Sequence, residues 1–212
     1  MKHSRFYQTV VAIAMMLMGW LPSLAHDFEV DGICYNILSD NSVEVTYNGS
    51  SYNNDYEDVI IPETVTHDGS TYNVTSIGER AFYDSKLTSI KIPNSVTGIG
   101  NSAFAFCTSL TSLEIPNSVT SIGSSAFYHC YSLTSIEIPD SVTSIGDYAF
   151  YGCTGLTSVY IKSTTPPVLG GYYVFDGNVS DRKIYVPRAS LNAYKTAEGW
   201  RKYADAIEPY DF

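Results

Sequence analysis

The sequence predicts a β-rich solenoid, an array of about four to five turns of 23 residues with a cap at each end. A string that begins at Ile92-Pro93 recurs at Ile115-Pro116 and at Ile138-Pro139, each copy 23 residues after the last. Within the string a phenylalanine and a cysteine keep the same spacing, at Phe104, Phe127 and Phe150 and at Cys107, Cys130 and Cys153. A fixed period of this length is typical of proteins in which each repeat stacks on the next.

Each copy of the string predicts the same local structure. Residues 110–115 predict a strand in which Leu113 and Ile115 point inward, because side chains alternate along a strand. Residues 119–122 predict a second short extended piece, and Gly123 predicts a turn. Residues 126–130 fit one helical or 3₁₀ turn before the next strand. A lone repeat cannot bury its apolar side, so neighbouring repeats are expected to share one core.

Domain boundaries follow from where the repeat begins and ends. Degenerate copies reach back to Ile61-Pro62, and the period is lost after Ile161. The expected domains are a signal peptide over residues 1–25, an N-terminal cap over 26–60, a solenoid over 61–162 and a C-terminal cap over 163–212.

The C-terminal segment carries its own pattern. Residues 184–187 predict the last strand, and a short helix with Leu191 and Tyr194 on one face is expected to end near Gly199. Trp200 is expected to cover the final repeat. The alternative is that this tail is an independent binding element.

Residues 1–25 have the features of an export signal. Lys2 and Arg5 precede a short apolar run, residues 10–18, and Ser23-Leu24-Ala25 offers the small residues of a cleavage site. The run is shorter than the about 20 residues that span a bilayer. We expect cleavage after Ala25, no membrane insertion afterwards, and a protein that is secreted, at the cell surface or in the periplasm.

The composition argues against several classes of partner. The formal net charge is −10, and charged residues make up only 16% of the chain. An acidic surface repels phosphate backbones and anionic lipids, so neither nucleic acid nor a membrane surface is expected as a partner. The apolar content indicates a folded domain with an uncharged polar exterior.

The repeated string resembles the BspA-type leucine-rich repeats of surface and secreted proteins from gut and oral bacteria. The resemblance is carried by the pattern IPxSVTSIGxxAFxxCxxLTSIxIP over about residues 61–162, and by the tail IYVPRASLNAYKTAEGW at residues 184–200. It implies a right-handed β-rich solenoid and, for some members, adhesion to host or bacterial proteins. It supplies no catalytic residues.

Sequence patterns for catalysis and metal binding are absent, and no catalytic, cofactor or metal site is expected. Glu114 and Glu137 stand one repeat apart, which would suit a glycosidase, but repetition explains the pair. Residues 27–32 imitate the start of a calcium loop, but Leu38 stands where the closing glutamate is required.

The repeated cysteines are predicted to form a ladder of buried free thiols. Stacked side chains point in parallel rather than at each other, and unpaired cysteine behaves as a small apolar residue. His129 precedes Cys130, but we expect an exposed histidine rather than a catalytic base beside a buried thiol.

Recognition is expected in the outward-facing columns of the repeat. One column on the strand side consists of Lys91, Glu114, Glu137 and Tyr160. A second set follows or flanks the repeated phenylalanine and consists of Tyr83, Phe106, Tyr128, His129, Tyr131, Tyr148 and Tyr151. Tyrosine is a favoured interface anchor. The alternative is that these rings pack on neighbouring repeats and only shield the core.

These observations predict a non-enzymatic module that binds a protein partner, host extracellular or bacterial, at or beyond the cell surface. The tyrosine content and the acidic, Ser/Asn-rich exterior leave a second hypothesis, a glycan-binding accessory protein.

Overall fold

The computed structural model describes residues 26–47 and 57–212. The predicted signal peptide lies outside the described residues, as do residues 48–56 of the predicted N-terminal cap. The strands are β1 (Phe28–Val30), β2 (Ile33–Ser39), β3 (Ser42–Thr46), β4 (Asp58–Ile60), β5 (Thr64–His67), β6 (Ser70–Ile77), β7 (Ser89–Lys91), β8 (Gly98–Ile99), β9 (Ser121–Ile122), β10 (Ser135–Ile138), β11 (Ser144–Ile145), β12 (Ser158–Ile161), β13 (Val168–Leu169), β14 (Lys183–Pro187) and β15 (Ile207–Tyr210).

Within residues 26–47 and 57–212, helical structure lies near the C-terminal end. It consists of the α-helix α1 (Leu191–Thr196) and two 3₁₀ helices, Arg188–Ser190 and Trp200–Ala206. In the described part of the chain, no helix combines the length and the hydrophobicity of a transmembrane segment.

Equivalent strands of successive repeats pair in parallel along one side of the molecule, here called the strand face. β4 pairs with β7, and β10, β12, β14 and β15 pair in that order. Between these groups the strand predicted at residues 110–115 is reduced to a single bridge, in which Lys91 pairs with Glu114. The predicted alternation holds, because exposed and buried residues follow each other strictly along β10.

A second parallel ladder runs along another side of each repeat. β3, β6, β8, β9, β11 and β13 pair in this order. Three antiparallel strands complete this nine-stranded sheet: β2 pairs with β3, β1 pairs with β2, and β5 pairs with β6. The extended piece predicted at residues 119–122 is confirmed as β9. The hydroxyls of Thr97, Thr120 and Thr143 reinforce this ladder, since each donates to the carbonyl of the equivalent residue one repeat earlier over 3.2 Å.

The third side of each repeat is a turn segment, and here the helical prediction was wrong. Residues 126–130 form successive hydrogen-bonded turns instead, because Ser125 and His129 adopt positive φ angles of 55° and 58°. The amides of Ser125, Phe127 and His129 therefore donate to carbonyls of the next repeat, over 2.9, 2.7 and 2.9 Å. This third set of inter-repeat hydrogen bonds offsets the strain of left-handed residues that are not glycine.

A stack of phenylalanine rings fills the core beneath this turn segment. Neighbouring ring centroids are 5.1–5.4 Å apart and the planes differ by 4–8° along the series Phe82, Phe104, Phe127, Phe150 and Phe175. All five side chains are fully buried. The repeats also approach closely at their backbones. A Cβ atom on Gly123 would lie 2.6 Å from the amide nitrogen of Asn101, so this glycine is required by packing as well as by the turn that starts there.

The parallel pairing continues beyond Ile161, although the sequence period is lost there. β13 extends the second ladder, and β14 extends the strand face. The prediction that residues 184–187 form the last strand was wrong, because β15 pairs with β14 in parallel. The short segment IEPY concealed this strand, since a proline within four residues argues against a strand.

The C-terminal helices bring large side chains onto the last repeat. α1 ends at Thr196, and Gly199, with a φ angle of 76°, precedes the second 3₁₀ helix. Trp200 is fully buried against Phe175, with ring centroids 5.9 Å apart, and its indole nitrogen donates to the carbonyl of Pro167 over 2.7 Å.

We expect Phe127→Ala to lower the free energy of unfolding by about 3–5 kcal/mol, because it leaves a cavity between two stacked rings. The matched control is Phe106→Ala, which removes the same atoms from a partly exposed site. Its loss should be smaller by at least about 1.5 kcal/mol. Urea denaturation followed by tryptophan fluorescence measures both, and equal losses would contradict a core that depends on the ring stack.

Candidate interaction surface

Aromatic side chains form a continuous surface along the outside of the turn segments, here called the aromatic ridge. It consists of Tyr83, Phe106, Tyr128, His129, Tyr131, Tyr148, Tyr151 and Tyr173. Each ring contacts at least one other ridge ring, with centroids 4.1–5.5 Å apart. The structure thus brings together all the aromatic residues predicted for this column, and it adds Tyr173.

Phe106 completes the ridge where the column of tyrosines is interrupted. Ala105 occupies the tyrosine position of its repeat and is buried. The ring of Phe106, one residue later, lies between Tyr83 and Tyr128 at 5.4 Å from each, edge to face. Phe106 can reach this position because its φ angle is positive, at 62°.

The ridge is partly buried by its own contacts and still exposed to solvent. Tyr128 and Tyr151 stack at 5.4 Å and are half-buried, whereas Tyr131 and Tyr148 are 42% and 36% exposed. The rings therefore pack sideways on neighbouring repeats, as the core-shielding interpretation predicts. They also keep a solvent-facing edge that is already ordered, which favours recognition.

A cation stands over a ring near each end of the ridge. The guanidinium of Arg80 lies 5.9 Å from the ring centroid of Tyr83, and the ammonium of Lys202 lies 4.7 Å from that of Tyr173. Lys202 also pairs with Asp176 at 2.6 Å. Both contacts are within the range of cation–π attraction, so they hold the end rings in place.

His129 lies inside the ridge and lacks the surroundings of a catalytic base. Its ring is 4.1 Å from that of Tyr128 and 5.2 Å from that of Tyr131. The expectation of an exposed histidine was wrong, since the side chain is half-buried and its Nδ1 is inaccessible to solvent. The adjacent Cys130 thiol donates to the carbonyl of Phe104, and burial raises its pKa well above the ordinary value. This thiol is therefore a poor nucleophile.

The predicted strand-face column is formed in register. Lys91 bridges to Glu114, and Glu137 stands opposite Tyr160 in β12. Glu137 forms an ion pair with Lys162, which lies just beyond β12. This neutralises one of the two carboxylates that could have served as a catalytic pair.

A second aromatic cluster, here called the strand-face patch, continues this column. It consists of Tyr160, Tyr185, Tyr210 and Phe212. Tyr160 stacks on Tyr185 at 4.8 Å, and Tyr210 meets both edge to face at 5.4 and 5.6 Å. The sequence indicated Tyr160 alone, because the pairing of β15 with β14 that brings in Tyr210 was not predicted.

Two concave spaces lie near these surfaces. A cavity of about 410 Å³ lies between residues 166–172 and 197–200, and a second of about 560 Å³ lies beside Arg188 and Phe212. Arg188 forms a two-pronged ion pair with Asp211, at 2.8 and 2.9 Å. Neither lining pairs a nucleophile with a histidine base.

The repeated cysteines are buried free thiols, as predicted. Cys107, Cys130 and Cys153 each donate to the carbonyl of the phenylalanine one repeat earlier, over 3.0–3.1 Å. The shared direction of these bonds keeps the side chains parallel. Burial raises the pKa of Cys107 to about 11 and that of Cys153 to about 12.

The described residues contain one group with potential metal-ligand atoms close together: His26, Glu29 and Cys34, whose donor atoms all lie within 4.8 Å of one another. Sequence spacing gave no signal for it beyond an apparent calcium loop. The juxtaposition depends on the β1–β2 hairpin, which sets Glu29 opposite Cys34.

Comparisons with known proteins agree with the repeat architecture. A family model described as the BspA type leucine rich repeat region matches residues 75–193 in six copies. The solved structure of a leucine-rich repeat protein from Bacteroides capillosus is 32% identical with a TM-score of 0.54, covering 63% of this chain and 96% of that one.

Two further structures extend the likeness. A leucine rich cell surface protein from Faecalibacterium prausnitzii is 30% identical with a TM-score of 0.55, covering 81% of this chain and 46% of that one. This chain therefore spans about half the length of that protein. A leucine rich repeat protein of T. pallidum, 24% identical with a TM-score of 0.61, covers 83% of this chain and 79% of its own, and supports the fold alone. The comparison with curated proteins finds no match.

We expect all four cysteines to remain free in the purified, unreduced protein. Alkylation of the native protein at neutral pH should leave Cys107, Cys130 and Cys153 unmodified, because they are buried and protonated. Alkylation after denaturation should modify all four. Mass spectrometry distinguishes these states, and an intact mass lower by two hydrogens would reveal a disulfide.

We expect the same buried thiols to lower the free energy of unfolding at high pH. Their pKa values are raised in the folded protein, so their contribution is complete below the ordinary thiol pKa of 9.0 and is lost as the pH rises toward about 11–12. Each thiol should contribute a slope of at most about 1.4 kcal/mol per pH unit. Urea denaturation at stepwise pH measures the slope, and Cys153→Ala should reduce it. An unchanged slope in that variant would contradict the assignment.

Proposed function

We propose that this chain, which belongs to the BspA-type leucine-rich-repeat family, is an exported, non-catalytic module that binds a protein partner at or beyond the cell surface. The family membership supports a protein-interaction repeat module. The likeness to a cell surface protein of F. prausnitzii supports an extracellular setting, together with the signal peptide expected from residues 1–25. An adhesion-like role is the specific form of this proposal.

The proposal includes the architecture that would present the binding surface. It is a right-handed solenoid of about four to five regular turns over residues 61–162, sealed by caps over residues 26–60 and 163–212. The inter-repeat hydrogen bonds and the burial of Trp200 support this arrangement. A rigid array of this kind presents its outward columns as one extended surface.

The aromatic ridge is the proposed binding surface, and the observation that carries it is the unbroken chain of ring contacts. Rings fixed by their neighbours have already lost much of their rotamer freedom. Binding a partner therefore costs less side-chain conformational entropy than it would with mobile rings. Tyrosine also joins a large apolar area to a hydrogen-bonding hydroxyl. A protein partner with apolar side chains and backbone acceptors fits this surface.

The second candidate function is glycan binding, and the strand-face patch is the observation that favours it. Tyr160 and Tyr185 stack on each other, and the exposed rings of Tyr210 and Phe212 adjoin them. Charged groups such as Lys183 and Glu208, which pair at 3.0 Å, lie on the neighbouring strands. Flat rings bordered by polar groups suit the apolar faces and hydroxyls of sugars. The two functions therefore map to different surfaces.

Binding of the purified protein to arrays of extracellular-matrix proteins, bacterial surface proteins and glycans tests the proposal. We expect a saturable protein ligand whose Kd rises more than about tenfold in the double variant Tyr128→Ala, Tyr151→Ala, because each truncation removes an interface anchor. The matched control, Tyr160→Ala with Tyr185→Ala, removes the same groups from the strand-face patch and should bind the protein ligand normally.

The reverse pattern would overturn the assignment. Glycan ligands lost only in the Tyr160/Tyr185 variant would establish the second candidate function. Protein binding that survives in a well-folded Tyr128/Tyr151 variant would move the site away from the ridge.

A further inference from the structure

Cys34 differs from the other cysteines in where it is buried. Cys107, Cys130 and Cys153 belong to the contiguous core of the described residues, whereas Cys34, although only 1% exposed, lies outside that core. Its strand neighbours Ile33 and Tyr35 point into the core, so alternation along β2 turns Cys34 to the opposite face. The thiol is therefore covered by something other than the hydrophobic interior.

Two donor groups stand beside this thiol. Antiparallel pairing sets Glu29 directly opposite Cys34, so their side chains share the outer face of the hairpin. His26 precedes β1, and its imidazole joins them so that the donor atoms of all three residues lie within 4.8 Å of one another. The Glu29 carboxylate is exposed, the imidazole half-buried and the thiol buried.

The imidazole nitrogen Nδ1 of His26 supplies an independent observation. This atom is inaccessible to solvent and has no hydrogen-bond partner among the described residues. Buried polar atoms are nearly always paired, because an unmade hydrogen bond costs the full desolvation of the group. An ion ligated through Nδ1 would give this nitrogen a partner, and the same imidazole contributes a donor atom to the cluster with Glu29 and Cys34.

We propose that His26, Glu29 and Cys34 form a binding site for Zn²⁺ or a chemically similar transition-metal ion. A thiolate, an imidazole and a carboxylate are ligands of the kind that zinc takes, and the thiolate disfavours calcium and magnesium, which require oxygen. On binding, the Sγ–H bond of Cys34 breaks, the sulfur coordinates the ion and the proton passes to solvent. A water molecule serves as the fourth ligand of a tetrahedral site.

Such an ion has a structural consequence for the start of the domain. β1 is the edge strand of the nine-stranded sheet, and it pairs only with β2 among the described strands. Coordination would tie residue 26 and β1 to β2, which resists fraying of this edge. The site is separate from the aromatic ridge and does not depend on the proposed function.

Titration of the purified, reduced protein with Co²⁺ under anaerobic conditions tests the proposal, since cobalt reports thiolate coordination through a charge-transfer absorption band. We expect saturation at one ion per chain and displacement of the cobalt by Zn²⁺. His26→Ala and Glu29→Gln should each weaken binding at least about tenfold, the usual scale for loss of a ligand or its support. Cys34→Ser should abolish the band.

Asp31→Asn is the matched control, because it removes an acidic group from the turn of the same hairpin but outside the cluster. It should bind cobalt as the unmodified protein does. Circular dichroism of each metal-free variant establishes that it is folded. Absence of the charge-transfer band in the unmodified protein, or a band that persists in Cys34→Ser, would overturn the proposal whatever the variants' stability.

Discussion

Backbone hydrogen bonds between consecutive repeats are the constraint on which the rest of this structure depends. They form on three sides of each repeat: at the strand face, along the second ladder and through the turn segments. The third set exists only because residues such as Ser125 and His129 adopt positive φ angles, which expose alternate amides to the next repeat. These hydrogen bonds fix the register of each repeat on the next, so equivalent side chains must lie one above another. The regular stacking of side chains follows from this register.

The fixed register restricts which residue types each repeat position can hold, because every side chain must pack on its equivalent in the next repeat. Flat phenylalanine rings stack at 5.1–5.4 Å with little loss of contact, which suits the core. A thiol such as that of Cys130 is small, apolar and still able to donate weakly to a carbonyl one repeat away. Glycine is required where backbones approach most closely, as at Gly123. Threonine suits the second ladder because its hydroxyl, although exposed to solvent, donates a hydrogen bond to a carbonyl one repeat earlier, as Thr120 does to Thr97.

Features that the 23-residue period imposes could be predicted from the sequence. Features that do not depend on the period, such as the turn geometry and the last strand of the C-terminal segment, were not predicted correctly. The strand, the second extended piece and the shared core could be predicted, because apolar spacing within 23 residues fixes them. The turn segment was predicted as helical because Ala126 and Phe127 with Cys130 fit that spacing, and φ angles leave no mark on apolar periodicity. β15 was missed because it is only four residues long and contains Pro209, although it pairs with β14 at the same 23-residue offset as the regular repeats. The ridge residues were found from their column positions, but Tyr173 and Tyr210 lie in the irregular segment, where no column is visible.

Departures from the repeat therefore mark residues that stacking alone does not explain. Cysteine at positions 107, 130 and 153 is explained by stacking, but Cys34 stands outside the period and outside the core. Phe106 likewise breaks the pattern, and its ring restores a column that Ala105 interrupts. A residue that stacking does not require must be explained by its own contacts. For Phe106 those contacts make the aromatic ridge continuous, and for Cys34 they are an imidazole and a carboxylate, which together suit a metal ion better than a hydrophobic core.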